Sequence, residues 1–153
     1  MKLFKHQLEL QGYENPLEVA KALSIKQNMH FESGELHHFA ELLVKHDRSK
    51  QAHAIFSLNN QLFSNVILNE ETLNEYVGVY ELADFSIHVS RNSHALFITA
   101  TGEATVPIFA VTDSQFVLKQ VNASITFEKD DRGKVKGLTL ILNNQDVPGK
   151  KVN

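Results

Sequence analysis

The stretch LNEYVGVYELADFSIHVSRNSHALFITATG, residues 73–102, decides the fold. Phe85, Ile87 and Val89 alternate with Ser86, His88 and Ser90, the two-residue period of a strand with one apolar face. The breaks at Ala83-Asp84 and Arg91-Asn92-Ser93-His94 are too short for a crossover. Neighbouring strands must therefore run antiparallel. Such a run has to close on something. It could hold a ligand, hold its own side chains, or form one layer of a larger body.

Downstream the same rhythm continues. Eight strands are expected, at residues 78–82, 85–90, 95–101, 106–112, 115–121, 124–129, 135–143 and 146–152. The breaks carry turn chemistry, such as Gly102-Glu103, Asp113-Ser114, Asn122, Asp130 to Gly133 and Asn143-Asn144. An up-and-down order of eight strands loses its exposed edges by closing on itself. The inward face is expected to include Ile87, Val89, Leu96, Ile98, Phe116, Leu118, Ile125, Phe127, Leu138, Leu140 and Leu142. An eight-stranded barrel is just wide enough inside for its side chains or one small ligand. Two strands read as apolar on both faces, at Leu96-Phe97-Ile98 and at Pro107, Phe109 and Val111, where helices would dock.

Upstream of Ser64 the period is helical. Asn15-Pro16-Leu17-Glu18 has the form of a helix start, with Asn15 as cap and proline at the first position. That helix is expected to run to about Met29. In the next, Leu36, Phe39, Ala40, Leu43 and Val44 form one stripe, while His37, His38, Glu41 and Lys45 lie off it. After a break at Lys45 to Lys50, with Asp47 or Ser49 as cap, Ala52, Ile55, Phe56, Asn59, Leu62 and Phe63 share the face of a third. The last two make a helical hairpin. A short helix capped by Asn69 is expected from Glu70 to residue 76. The fold class is thus α+β, with a helical segment at residues 1–66 and an antiparallel barrel at 67–153.

Leu73, Tyr76, Gly78 and Tyr80 form a Leu-x-x-Tyr-x-Gly-x-Tyr pattern. It resembles the opening of a family of small lipocalin-like β domains of unknown function found C-terminal to β-lactamase-related serine hydrolases and peptidases. The stretch ITFEKDDRGKVKGLTLIL is similar to that family's penultimate hairpin, through Phe127, Gly133, Val135, Gly137 and Leu138. Ala52, Ala54, Ile55, Phe56, Leu58, Asn59 and Phe63 look like the second helix of a tetratricopeptide-type pair at about residues 33–64. The resemblance implies an accessory barrel, and it assigns no catalytic residue.

Composition limits the function classes. Of 153 residues, 42% are hydrophobic and 22% charged, the mix of an ordinary folded domain rather than a disordered chain. The formal charge is −3 with no basic run, so a nucleic-acid partner is not expected. Cysteine is absent, which removes disulfides and thiolate chemistry. No segment approaches a membrane span and the first residues show no apolar core of a secretory leader, so a cytoplasmic location is expected for the chain as it stands.

Catalytic chemistry finds no purchase. No serine has lysine three residues on, and no Gly-x-Ser-x-Gly elbow occurs. Eight histidines are present, but adjacent His37 and His38 point about 100° apart on a helix. His46 with His53, and His88 with His94, could approach each other, yet solvated surface positions are the plainer reading and no metal is expected. Glu70/Glu71 and Asp130/Asp131 fit a helix start and a turn better than acid–base work. Lys134, Lys136, Lys150 and Lys151 read as a solvated rim. The expectation is a non-enzymatic accessory or small-ligand-binding module without cofactor. Its partner would be a small apolar molecule or a separately encoded hydrolase or peptidase.

Overall fold

The two periods of the sequence become two kinds of structure. The computed structural model describes residues 1–92, 95–119 and 121–153. It divides into two compact units, Met1–Leu62 and Phe63–Asn153.

The first unit is built from α1 (Lys2–Gln11), α2 (Pro16–Gln27), α3 (Ser33–Lys45) and nearly all of α4 (Ser49–Phe63). Helix α1 is an addition to the three helices expected. Its signal is thin, because only Phe4 and Leu8 are buried and Met1 gives no side-chain cap. Helix α2 stops at Gln27 rather than Met29, because Asn28 turns left-handed (φ 51°, ψ 37°). The Asn28 and Met29 N–H groups both turn back to the Leu23 carbonyl, the latter at 3.3 Å, and asparagine takes the left-handed position usually given to glycine. Asn15 precedes α2 as expected, but its side chain makes no capping bond. Its backbone carbonyl receives Glu18 N–H (3.2 Å) instead.

Two positions on α3 depart from the periodic reading, and on α4 Leu62, expected on the shared face, is 37% exposed. His37 was placed off the stripe but is buried. Its ring packs against Phe56 at 5.5 Å between centroids, and its Nε2 lies 3.6 Å from Glu41 Oε1. The flat body of the ring packs like an apolar group while its edge meets a half-exposed carboxylate. Val44, placed on the stripe, is half exposed. Asn59 is 1% exposed, and among the described residues neither Oδ1 nor Nδ2 has a partner. An orphaned buried amide costs roughly 1–3 kcal/mol. Asn59→Leu, close in shape, is therefore expected to raise stability by about that much in urea unfolding. A loss of stability would mean that the amide is engaged.

At the end of α1, Glu9 Oε1 accepts from Arg48 (2.8 Å) and Tyr13 (2.7 Å). Arg48 also lies over the Tyr13 ring at 5.3 Å. The tie joins α1 to the α3–α4 turn, and the bond from Arg48 holds the Glu9 carboxyl below its ordinary value.

In the second unit α5 (Glu70–Tyr76) is followed by eight strands, β1 (Gly78–Glu81), β2 (Ser86–Arg91), β3 (Leu96–Ala100), β4 (Val106–Ala110), β5 (Gln115–Leu118), β6 (Ala123–Lys129), β7 (Val135–Leu142) and β8 (Gln145–Lys151). Each pairs antiparallel with the next, and β8 returns to β1 to close a barrel in the order β1 to β8. The closing seam sets Tyr80 opposite Lys151 and Glu81 opposite Lys150. It extends by two bonds, Val79 N–H to the Asn153 carbonyl (3.2 Å) and Val152 N–H to the Val79 carbonyl (2.9 Å).

Specific residues make this closure feasible. Gly78 sits at φ 154°, and a Cβ there would stand 2.1 Å from the Asn153 carbonyl oxygen. Gly137 meets Gly149 in the same way, with a Cβ position 2.4 Å from its carbonyl oxygen. Asn143 and Asn144, both at positive φ, make the two-residue β7–β8 turn that matches strand twist. Asp130 Oδ1 accepts the N–H groups of Arg132 (2.8 Å) and Lys134 (3.0 Å), which shapes the β6–β7 turn.

The seams are unequal. Strands β6 and β7 pair from Ala123↔Leu142 to Lys129↔Val135, whereas β4 and β5 pair only at Phe109↔Val117 and Ala110↔Phe116. The outward face of β4 carries Phe109, which is 2% exposed and meets Phe63 edge-on at 6.2 Å. No described helix is long and apolar enough to cross a membrane.

Candidate functional site

The barrel interior is the place where the sequence put a ligand. Ile87, Val89, Leu96, Ile98, Phe116, Ile125, Phe127, Leu138 and Leu140 are all buried there and belong to one apolar cluster. Leu118 is half buried against it. Leu142 lies outside the cluster. It shares the inward parity of its strand but falls at the last position before the turn, where it is 40% exposed. Substituting glutamine separates the two cases. Leu142→Gln is expected to shift stability by no more than about 0.5 kcal/mol, and Leu140→Gln to lower it by about 2–5 kcal/mol. Equal effects in thermal unfolding would contradict this placement.

Sequence periodicity missed the residues that fill the middle. Leu73 and Tyr76 come from α5, and Tyr80, Ile108 and Ala110 from the strands. Tyr76 stacks on Phe127 at 4.2 Å between centroids, and Phe116 stands edge-on to Phe127 at 5.5 Å. Tyr80 lies 5.7 Å from the Phe127 ring. Edge-on and stacked rings at these separations fill volume with favourable quadrupole geometry. Strand parity sends Ile108 and Ala110 inward and Phe109 outward, a choice that a strand apolar on both faces does not reveal.

Helix α5 supplies the floor. Its cap forms as the sequence indicated, with Asn69 Oδ1 accepting from Thr72 N–H at 2.8 Å, and Glu70 and Glu71 occupy its first turn. Glu75 pairs with Lys129 at 3.0 Å, and Lys151 Nζ donates to the Glu75 carbonyl at 3.2 Å. Lys151 is thus a tie between β8 and α5 rather than part of a solvated rim. Arg91 Nε donates to Asn74 Oδ1 at 3.3 Å.

The polar atoms inside are engaged. Tyr76 donates its hydroxyl to the Asp113 carbonyl, and Tyr80 donates to the Tyr76 carbonyl at 2.8 Å. Burial pushes both phenols above their ordinary range. Tyr13, in the helical unit, is pushed up to about 12, by burial first and then by its bond to Glu9. These are all three tyrosines of the chain. A phenol raised in this way stabilises the fold fully below its unfolded value, and that contribution is lost as pH climbs through the folded one. An ultraviolet phenolate titration is therefore expected to show no step at the ordinary value of 10.0. Ionisation of Tyr13 should arrive near pH 12, and that of Tyr76 and Tyr80 above the ordinary value or together with unfolding. A step of one-third amplitude at pH 10 would mean that one hydroxyl faces solvent.

Among the described residues no group of three or more His, Asp or Glu is placed to hold a metal. The suggested approach of His88 to His94 falls partly on His94, which lies outside the described residues, as does Ser93 of the same turn. The Asp130 carboxylate of the Asp130/Asp131 pair serves its turn.

The Leu-x-x-Tyr-x-Gly-x-Tyr pattern now has a structural account at each place. Leu73, Tyr76 and Tyr80 are core, and Gly78 lets the closing seam approach. The family comparison coincides with this unit, matching residues 63–151. The chain belongs to the DUF3471 family. DUF3471 is described as a domain of unknown function. Its match begins at Phe63, where the second compact unit begins, and spans the whole barrel. No curated protein and no solved structure gives a significant match to the chain.

Proposed function

We propose that this DUF3471 protein is a non-catalytic accessory module whose barrel is a filled support. The observation that carries the reading is the ring cluster of Tyr76, Phe116 and Phe127, closed below by α5, with both interior hydroxyls given to backbone carbonyls. Such an interior offers neither a nucleophile with a base nor an unused polar group to orient a substrate. The hydrolase or peptidase partner is supported by the resemblance of the Leu73-to-Tyr80 pattern and of the β6–β7 hairpin. Two experiments test the parts separately. Purified full chain is expected to leave ester, β-lactam and peptide substrates at background, and turnover abolished by a point substitution would overturn the non-catalytic reading. Affinity capture from the native host is expected to return a serine hydrolase or peptidase, and its absence would overturn the partner.

A second reading is a small apolar ligand, and one observation favours it. At the barrel end opposite α5, Phe85, Val106, Leu118 and Val147 are only half buried and Leu142 is exposed. A ligand would sit at this mouth rather than in the middle. Saturable binding of a fluorescent fatty acid that Leu118→Gln weakens would support it, and binding unaffected by that change would exclude it.

A further inference from the structure

We propose that the groove between α1 and α2 binds a short extended peptide carrying small aliphatic side chains and one basic residue. This inference does not depend on the role of the barrel.

The groove encloses about 500 Å³, within the range of ligand sites. Its apolar floor includes Val19 and Leu23, which are mostly covered, and Leu3, which is 37% exposed. Its walls carry four carboxamides, Gln7, Gln11, Asn15 and Gln27. A carboxamide presents an N–H donor beside a C=O acceptor, the same pair that a peptide group presents. Gln11 Nε2 donates to Gln7 Oε1 at 2.7 Å, which leaves the Gln11 carbonyl and the Gln7 amide hydrogens for a guest. Asn15 occupies a capping position without capping, so its amide is also uncommitted.

Spacing favours an extended guest. Leu3, Gln7 and Gln11 stand four apart on α1, so they rise by about 6 Å per step. Same-side groups of an extended chain recur every ~6.6 Å. The column from Leu3 to Gln11 spans about 12 Å, enough for roughly four extended residues. Charge gives the guest a direction. Glu14 and Glu18 lie at the end near the α1–α2 connection, and Lys26 at the other. Glu18 already meets Lys21 at 3.5 Å, whereas Glu14 has no cationic partner among the described residues. A basic residue of the guest belongs beside Glu14.

The test is an amide-resolved NMR titration of the full chain with two probes, acetyl-Ala-Arg-Ala-Leu-Ala-amide and the same peptide with glutamate for arginine. The arginine peptide is expected to give saturable shifts confined to α1 and α2, including the Gln7, Gln11 and Asn15 side-chain amides. It should bind about threefold tighter than its acidic counterpart, and Glu14→Gln should remove that preference. Gln7→Ala with Gln11→Ala is expected to weaken binding about tenfold. Ala22→Trp, which fills the groove, should abolish it. If Ala22→Trp disturbs the fold by circular dichroism, the exposed Glu14→Gln decides. Absence of saturable shifts at millimolar peptide, shifts located elsewhere, or equal binding of the acidic peptide would overturn the proposal.

Discussion

Replacing Gly78 with alanine is expected to lower the melting temperature of the barrel by at least about 12 °C. That figure takes roughly 3 kcal/mol for a backbone conformation that L side chains rarely adopt, at about 4 °C per kcal/mol for a unit of this size. The new Cβ would lie 2.1 Å from the Asn153 carbonyl oxygen and 2.8 Å from Lys151 Cε. Neither neighbour can retreat without loss. The Asn153 carbonyl accepts from Val79 N–H, and Lys151 is the residue opposite Tyr80 in the closing seam. Gly34 supplies the control, since a Cβ there meets nothing within 4 Å. Gly34→Ala, in the first turn of α3, should be neutral or gain up to about 1 kcal/mol. Differential scanning calorimetry on both variants decides the matter. A fall below about 4 °C for Gly78→Ala would show that the seam does not depend on this glycine.

Phe127→Ala should be the most damaging single side-chain truncation in the barrel, at about 3–5 kcal/mol. Its ring touches Tyr76, Tyr80 and Phe116 at once. Removing it leaves a void lined by aromatic carbon, and the neighbours are held by hydrogen bonds to backbone carbonyls that oppose collapse into the space. Phe127→Leu keeps part of the volume and should cost less than half as much. Urea unfolding monitored by circular dichroism gives both values. Equal costs for the two variants would indicate that the interior relaxes freely, as a hollow container would.

The sequence disclosed the barrel because its signals are local. Alternation in β2, β6 and β7, together with turn residues at Asp130 and Asn143-Asn144, places each strand within two or three residues of its observed bounds. Connection lengths make the neighbours antiparallel, and closure follows from the exposed edges that eight such strands would otherwise leave. What filled the barrel was less legible. Tyr76 reaches the core from a helix, which no strand period can announce, and Ile108 and Phe109 are both apolar, so parity is silent about which faces in. Leu142 has the right parity and the wrong height, since alternation says nothing of where a packed interior stops. His37 lies off the apolar stripe by helical period yet is buried, because an imidazole can pack as a flat apolar plate. Helix α1 is not legible in the sequence, because two buried positions and no cap make too faint a pattern.

The short β4–β5 seam implies an uneven rhythm of motion in the barrel wall. Main-chain hydrogens between Phe109 and Val117 should trade for deuterium long before those between β6 and β7, because fewer ladder rungs must break to free them. Tyr76, whose hydroxyl grips the Asp113 carbonyl beside that seam, acts as its clasp. Breathing of the cylinder would begin at its briefest ladders, β4–β5 and the closing β1–β8, as slats loosening in a cask while the long β6–β7 and β7–β8 staves stay tight.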